Sequence, residues 1–511
     1  MRTRGRAPIV SAKQAALLIE NGQTVVSGGF VGAAHPEALT AAIERRFEIA
    51  REPNDLTLVF AAGQGDGQRR GLNHLAHEGL VRRVIGGHWG LAPNLGKLAL
   101  ADRVEAYNFP QGVICQLLRD IAAGRPGCIT QVGLDTFVDP KLGGGRLNDS
   151  SPPGLVERVE LGGQEFLWFK SFPIHVGLIR ATAADRLGNL VMDREAVIGE
   201  VLPIAQAVHN SGGKVIAQVA ELRDNAAAPQ HVRVPGVLVD RIVVAEPHAH
   251  DQTFEEAFNE TYCQSKTDAS PTSLVMPQGI RRWIAERSCD ELRAGDIVNL
   301  GIGLPEAIAP VAASRGLLDQ VTLTLESGPI GGIPAGGLSF GAATYPEAVI
   351  DQPAQFDFYD GGGLDFAALG AAQVDACGNV NVSRFSNRVA GVGGFVNISQ
   401  NAKRVVFCGT FTTGGAEIEA EQDRLVIRKE GRVAKFVAQV EHVSFSGRYA
   451  RQRGQDVLYV TERAVFRLHD EGLELIEVAP GVDLQQDVLD RLPFAPIMRQ
   501  VKTMNAHGRS P

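Results

Sequence analysis

Thr57-Leu-Val-Phe-Ala-Ala-Gly63 and Thr322-Leu-Thr-Leu-Glu-Ser-Gly328 align residue for residue, and the fold follows from that pairing. Each is an apolar, β-branched run that stops at glycine, the pattern of a buried strand delivering the chain into a turn. The two copies differ at one chemically decisive place, where Ala61 in the first stands opposite Glu326 in the second. Ligands gather at the carboxyl ends of strands in open α/β sheets. A lone acid there, followed by the glycine-rich run Gly328-Pro-Ile-Gly-Gly-Ile-Pro-Ala-Gly-Gly337, is placed for chemistry.

The duplication extends outward from these strands. Ala16-Leu-Leu-Ile-Glu-Asn-Gly-Gln-Thr-Val-Val26, then Gly28-Gly-Phe-Val-Gly32 and Pro36-Glu-Ala-Leu39, is matched by Glu291-Leu-Arg-Ala-Gly-Asp-Ile-Val298, Gly301-Ile-Gly303 and Pro305-Glu-Ala-Ile308. Each copy reads helix, strand, glycine turn, helix. Asp185-Arg-Leu-Gly-Asn189 and Lys214-Val-Ile return as Asp375-Ala-Cys-Gly-Asn379 and Lys403-Arg-Val-Val. Between the matched landmarks, 149 residues separate Pro36 from Asp185 but only 70 separate Pro305 from Asp375, so the first half carries a long insertion. A period this long means duplicated domains, because solenoid units run about 20 to 50 residues.

Strands expected at Thr24 to Gly28 and Leu56 to Ala61, with a helix from Pro36 to about Ala50 between them, predict an α/β fold. It has two pseudo-repeated, open, mainly parallel sheets flanked by helices. The polar stretch Gln264 to Thr272 marks the boundary, giving domains at 1–268 and 277–503, with a helix restarting near Pro277. Residues 425 to 476 read as antiparallel strands completing the second domain, and the polar tail from Met504 as frayed.

Composition excludes several classes. With 511 residues, 44% of them hydrophobic and 21% charged, the chain is an ordinary globular protein with ample core. A net charge of −8 argues against nucleic-acid binding, which needs a basic surface. No run of about 18 apolar residues offers a membrane span, and the basic start, Met1 to Arg6, lacks a following apolar segment. A cytoplasmic protein is expected. The six cysteines, at 115, 128, 263, 289, 377 and 408, have no metal-site spacing and read as buried thiols in a reducing compartment.

An ionised carboxylate needs no general base to act as a nucleophile, and a thioester suits it because a thiolate leaves without prior protonation. Such an enzyme also needs backbone N–H donors for the oxyanion, which glycines bring close to a carbonyl. Gly393 and Gly394, in Asn387-Arg-Val-Ala-Gly-Val-Gly-Gly-Phe-Val-Asn397, are the candidates. The turn of Gly301, Ile302, Gly303, Leu304 and Pro305 opens on a helix whose first amides suit a phosphate of the substrate; both loops are alternatively plain tight turns. Asn299, just before it, either positions a substrate oxygen or caps the turn. Lys403 either meets a CoA phosphate or is a solvated strand-edge lysine. His248-Ala-His250-Asp251 and His74-Leu-Ala-His77 lack further ligands at defined spacing and read as loop residues, so no metal is expected. Gly301-x-Gly303-x-x-Glu306 fails the dinucleotide fingerprint at its third glycine, and Gly63-Gln-Gly-Asp-Gly67 lacks a phosphate-loop ending and reads as a surface turn.

Over nearly its whole length the chain resembles the class I CoA-transferases with their two usual subunits fused, as in succinyl-CoA:3-oxoacid CoA-transferase, and most closely the propionate or acetate CoA-transferase branch. Asn21-Gly22 with Gly28-Gly-Phe30 and Pro36 resembles the first-subunit signature, with Ser27 and Ala34 as departures. Glu326-Ser-Gly-Pro-Ile-Gly-Gly resembles the second-subunit Ser-Glu-Asn-Gly motif, with Leu325 and Ser327 replacing its Ser and Asn. Gln355-Phe-Asp-Phe-Tyr-Asp-Gly-Gly-Gly-Leu-Asp365 and Gly378-Asn-Val-Asn-Val-Ser-Arg-Phe385 are similar to the propionate-type branch.

The resemblance implies that Glu326 attacks the acyl-CoA carbonyl. The anhydride and free CoA thiolate that result become a glutamyl-CoA thioester, which a second carboxylic acid such as acetate reverses. CoA is then a substrate carried on Glu326, and no other cofactor is expected. Gln111, in Phe109-Pro-Gln-Gly112, resembles a family segment near the acyl site that hydrogen-bonds the carboxylate, or else it is a helix-start glutamine. The expected partners are acyl-CoA and short-chain carboxylic acids, in a homo-oligomeric dimer or tetramer. A thioester hydrolase would use the same glutamate and release CoA without an acceptor acid; a non-catalytic sensor would need no such glutamate.

Overall fold

The computed structural model describes residues 6–267, 274–421 and 423–505. Part of the expected boundary, 268–273, and the extreme termini lie outside the described residues. Two compact units emerge. The first holds residues 1–266 with Leu325–Asp357 and Phe385–Asn397; the second holds Thr267–Thr324, Phe358–Arg384 and Ile398–Pro511. Fold α/β with parallel sheets and covering helices describes both.

In the first unit, strands β1 (Thr24–Ser27), β2 (Leu56–Phe60), β3 (Val81–Gly86), β4 (Glu105–Asn108), β5 (Val176–Ala184), β6 (Lys214–Leu222) and β7 (Arg241–Val244) lie in the order β4-β3-β2-β1-β5-β6-β7. All six pairings are parallel. A parallel sheet covered on both faces demands apolar strands throughout, and β5 is buried at every position. Helix α1 (Glu37–Ala50) turns Leu39, Thr40, Ile43 and Phe47 inward at helical spacing. The first-half insertion contains β3, β4 and a small antiparallel sheet of Gly127–Thr130, Val156–Leu161 and Gln164–Lys170.

In the second unit, β8 (Ile297–Leu300), β9 (Thr322–Thr324), β10 (Phe366–Gly370), β11 (Arg404–Cys408) and β12 (Asp456–Val460) run β9-β8-β10-β11-β12, all parallel. This is the order β2-β1-β5-β6-β7 over again. Strands β13 (Ala464–His469) and β14 (Gly472–Val478) continue it antiparallel. The expected antiparallel region, 425 to 476, has one exception: β12 is parallel to β11, whereas Arg424–Lys429 pairs antiparallel with Glu417–Glu421 in a hairpin outside the main sheet.

Register proves the repeat at single-residue resolution. Thr24 pairs with Thr57 and Val26 with Val59; Ile297 pairs with Thr322 and Asn299 with Thr324. Two residues beyond Val59 and Thr324 stand Ala61 and Glu326. The same register corrects one echo: Val176 pairs with Lys214 and Phe366 with Arg404, so the counterpart of Lys214 is Arg404, not Lys403. The two Asp-x-x-Gly-Asn loops are copies in three dimensions. Asp185 Oδ1 accepts the N–H of Leu187 (2.8 Å) and Asn189 (2.9 Å), and Asp375 Oδ1 those of Cys377 (3.0 Å) and Asn379 (3.1 Å). Asn189 Oδ1 then accepts from Gly236 N–H and Asn379 Oδ1 from Gly447 N–H.

Other expectations need correction. Met504 is not frayed: it is buried, its N–H donates to Val478 O and its sulfur accepts from Trp283 Nε1 at 3.3 Å. Cys263 and Cys377 are exposed, while the other four cysteines are buried, and among the described residues none of the six forms a disulfide. Among the described residues no helix is long and apolar enough to cross a membrane.

Candidate active site

Glu326 lies in a tight turn just past β9, half-buried. The turn belongs to the first unit and is pinned at each end: Gly328 N–H donates to Leu325 O at 3.0 Å, and Leu325 N–H to Pro329 O at 3.0 Å. Ser327, where the family motif has Asn, is buried and donates through Oγ to Gly341 O at 2.6 Å. Gly328 has φ +123°, and a Cβ there would fall 2.1 Å from Ile350 O, so only glycine fits. The following glycine-rich run is ordered into short strands, Pro329–Ile330 and Ile333–Pro334, which pair with Ala348–Val349 and Ala343–Thr344.

The Gly391–Gly394 loop sits in the same unit, clasped to the loop after β3. Trp89 N–H donates to Ala390 O at 2.7 Å and Gly393 N–H to Gly87 O at 2.9 Å. Buried Asn108 ties both sides together, donating through Nδ2 to Gly86 O and Gly87 O and accepting Val392 N–H at 3.0 Å. No sequence motif marked Asn108. The bond to Gly87 corrects the oxyanion expectation for Gly393, whose only N–H already has an acceptor. Gly394 is buried and its N–H has no acceptor among the described residues.

Gln111 opens helix α2 (Gln111–Ala122), after Pro110. Its backbone N–H donates to Gly393 O at 2.9 Å. The side chain is buried, and Nε2 has no acceptor among the described residues. Buried donors are almost always paired, so this one calls for a ligand or a water. Gln111 and the glycine loop are thus brought together although 282 positions separate Gln111 from Gly393.

The remaining candidates belong to the second unit. Asn299 is buried in β8 and donates through Nδ2 to Thr324 O at 3.2 Å, and Thr324 Oγ1 accepts from Tyr359 Oη at 2.8 Å. Asn299 therefore braces the strand end that precedes Glu326. After Gly301, whose N–H donates to Ala368 O, and Gly303 at φ +88°, the chain enters a 3-10 turn, Pro305–Ala307, before the seven-residue helix Ile308–Ser314. Leu304 is helical in conformation, and Ile302 is exposed. Lys403 is exposed and ion-paired with Asp365 at 2.7 Å.

His250, His74 and His77 of the histidine motifs lie against glutamates. His250 Nε2 lies 3.3 Å from Glu195, which also pairs with buried Arg180 at 3.1 Å; His74 bridges Glu37 and Glu44, and His77 meets Glu44 at 2.7 Å. Among the described residues no group of side chains could hold a metal ion. Gln64 is not in a surface turn: it is buried, accepts from Ser27 Oγ at 2.8 Å and contacts His35 Nδ1 at 2.7 Å. Ser27, a departure from the first-subunit signature, anchors Gln64 in this way.

A coenzyme A transferase family model matches residues 9–245. The chain is 42% identical to caffeate CoA-transferase of Acetobacterium woodii over 98% of this chain and 97% of that one. It is 41% identical to acetate CoA-transferase YdiF of Escherichia coli (strain K12), over 97% and 94%. Its structure is similar to the crystal structure of the acyl-CoA transferase YdiF of E. coli O157:H7 in a thioester complex with CoA: TM-score 0.92, 39% identity, 98% and 96% covered. With such identity along nearly its whole length, a duplicated parallel-sheet fold and a carboxylate at the repeated strand end, the chain belongs to the coenzyme A transferase family.

Proposed function

We propose that the protein moves CoA from a short-chain acyl-CoA to a carboxylic acid such as acetate, in two half-reactions joined by a glutamyl-CoA thioester on Glu326. The observation that carries this reading is the placement of Glu326: the register equates it with Ala61, so one half of a duplicated fold has an acid exactly where the other has a methyl group. The related E. coli enzyme forms a thioester complex with CoA, and the same chemistry on this chain needs one carboxylate held at a pinned turn. Glu326 attacks the acyl carbonyl and CoA leaves as thiolate. The thiolate attacks the resulting anhydride at the glutamyl carbonyl, releasing the first acid and leaving CoA on the enzyme.

Gln111 Nε2 and Gly394 N–H are the donors we assign to the substrate oxygens, since both lack acceptors among the described residues. Gly301 to Pro305 and Lys403 are assigned to CoA, Lys403 exchanging Asp365 for a phosphate. No further cofactor takes part. Acetate and caffeate are the two acceptor acids to compare, because the relatives named for them are 41% and 42% identical to this chain.

The test is to incubate the protein with acyl-CoA and no acceptor. Intact-protein mass spectrometry is expected to show an adduct of CoA mass, mapped to the peptide between Val321 and Ile333, and borohydride should inactivate only the protein so treated. An acyl-mass adduct on serine or cysteine would move the nucleophile elsewhere. Free CoA released steadily without an acceptor would make the protein a hydrolase.

A further inference from the structure

His88 is a half-buried histidine that no part of the reading above uses. It stands between β3 and α2, in a segment whose backbone is locked on both sides: Gly87 O accepts from Gly393 N–H, Trp89 and Gly90 N–H both donate to Ala390 O, and His88 itself bridges to Gly391. Its imidazole occupies a slot that only glycines leave open. A Cβ on Gly63 would fall 2.4 Å from Nδ1, and one on Gly90 would fall 3.1 Å from Cε1. A Cβ on Gly393 would lie 3.6 Å from His88 Cβ and 3.5 Å from Gln111 Oε1, so His88 and Gln111 flank the same glycine.

The half-buried imidazole makes no hydrogen bond among the described residues, whereas Gln111 Nε2 beside it is a buried donor with no acceptor among them. A buried amide donor without an acceptor, beside a half-exposed imidazole held in a rigid glycine-lined slot, is a polar site suited to a ligand. The side chains of His88 and Gln111 both border Gly393 and each carries one group that can donate, and two such donors suit the two oxygens of a carboxylate. Burial and the positive charge of exposed Arg388 lower the His88 pKa to about 4. The ring is therefore neutral near pH 7 and offers one N–H, while Arg388 adds a field that favours an anion.

We infer that His88 and Gln111 Nε2 together cradle the carboxylate of the acceptor acid, making His88 a further substrate-positioning residue of the transfer. The inference rests on the CoA-transfer reading and adds an asymmetry to it. A hydrogen bond to an ionised carboxylate is stronger than one to a neutral thioester carbonyl, so His88 serves the acid half-reaction more than the acyl-CoA half-reaction.

Stopped-flow measurement of the two half-reactions tests it. Protein loaded with CoA by acyl-CoA is mixed with increasing acetate, and the loading step is timed separately. His88→Phe is expected to raise the acetate needed for half-maximal rate by about tenfold while changing loading less than about threefold, and His88→Asn, which keeps a donor, to recover most of the loss. Equal losses in both half-reactions, or an unchanged acetate dependence, would overturn the inference. A second measurement does not depend on the variants' folding: in wild-type protein, acetate should shift the ring Cε1–H resonance of His88, identified by its absence from His88→Asn or by through-space contacts. A resonance unmoved at saturating acetate would equally overturn it. Were wild type to carry no CoA on Glu326, the transfer reading would fail, and the acetate shift would still report on His88.

Discussion

Glu326 and Glu200 show opposite uses of a carboxylate in this protein. Glu326 sits half-buried on a pinned turn, where Ala is demonstrably compatible with the repeated strand end because Ala61 fills the equivalent place. Glu326→Ala is therefore expected to keep the fold, judged by an unchanged circular dichroism melt, and to cut kcat/KM at least about a thousandfold, roughly 4 kcal/mol of transition-state stabilisation. A folded variant within tenfold of wild type would remove Glu326 from the mechanism. Glu200 is wholly buried at the start of helix α3 (Val201–Asn210), and neither carboxylate oxygen has a partner among the described residues. Burial pushes its pKa up from 4.5 to about 8. In that window the native state holds a proton that the unfolded chain has lost, so the contribution is fully present below about pH 4.5 and is lost as pH rises to about 8. The decline should be at most about 1.4 kcal/mol per pH unit. Urea titrations from pH 5 to 8 should show this fall in wild type and a flatter profile in Glu200→Gln; parallel profiles would refute the assignment.

At the scale of elements, the repeated Asp-x-x-Gly-Asn loops offer an internal control. Within its own loop each of Asp185 and Asp375 holds two backbone N–H groups and an asparagine side chain with nearly superimposable lengths, a third N–H comes from Ala227 (2.9 Å) or Val440 (3.4 Å), and each loop receives a glycine, Gly236 or Gly447, against its backbone. Removing either carboxylate orphans matching donors within the loop and one N–H from outside it. Asp185→Ala and Asp375→Ala are each expected to cost about 1 to 3 kcal/mol, with matching falls in Tm, and a difference much above 1 kcal/mol would mean the loops are not energetic copies. Much of this level was legible in advance. The strands around Thr24, Leu56, Ile297 and Thr322 follow from apolar runs ending at glycine, because a fully buried parallel strand tolerates few polar side chains. Ser27 and Gln64 broke that pattern, and the reason is a buried hydrogen bond between them, which residue type alone does not announce.

For the whole molecule, a transfer that parks CoA on Glu326 requires the first acid to depart before the second binds. Initial rates at several fixed acid concentrations are expected to give parallel double-reciprocal lines, and intersecting lines would indicate a ternary complex instead. What the sequence determined by itself was the repeat: two α/β halves, their matched strand and turn landmarks, the insertion in the first, and the acid that distinguishes Glu326 from Ala61. These features are encoded along the chain, since burial pattern and chain spacing are properties of neighbouring residues. The tertiary structure alone decided which backbone groups remain available. It gave Gly393 N–H to Gly87 O and left Gly394 without an acceptor; it set His88 in a slot of three glycines beside Gln111, and it returned Met504 to the second unit's core. Those outcomes depend on which donor meets which acceptor across hundreds of positions, and nothing local in the sequence specifies such a meeting.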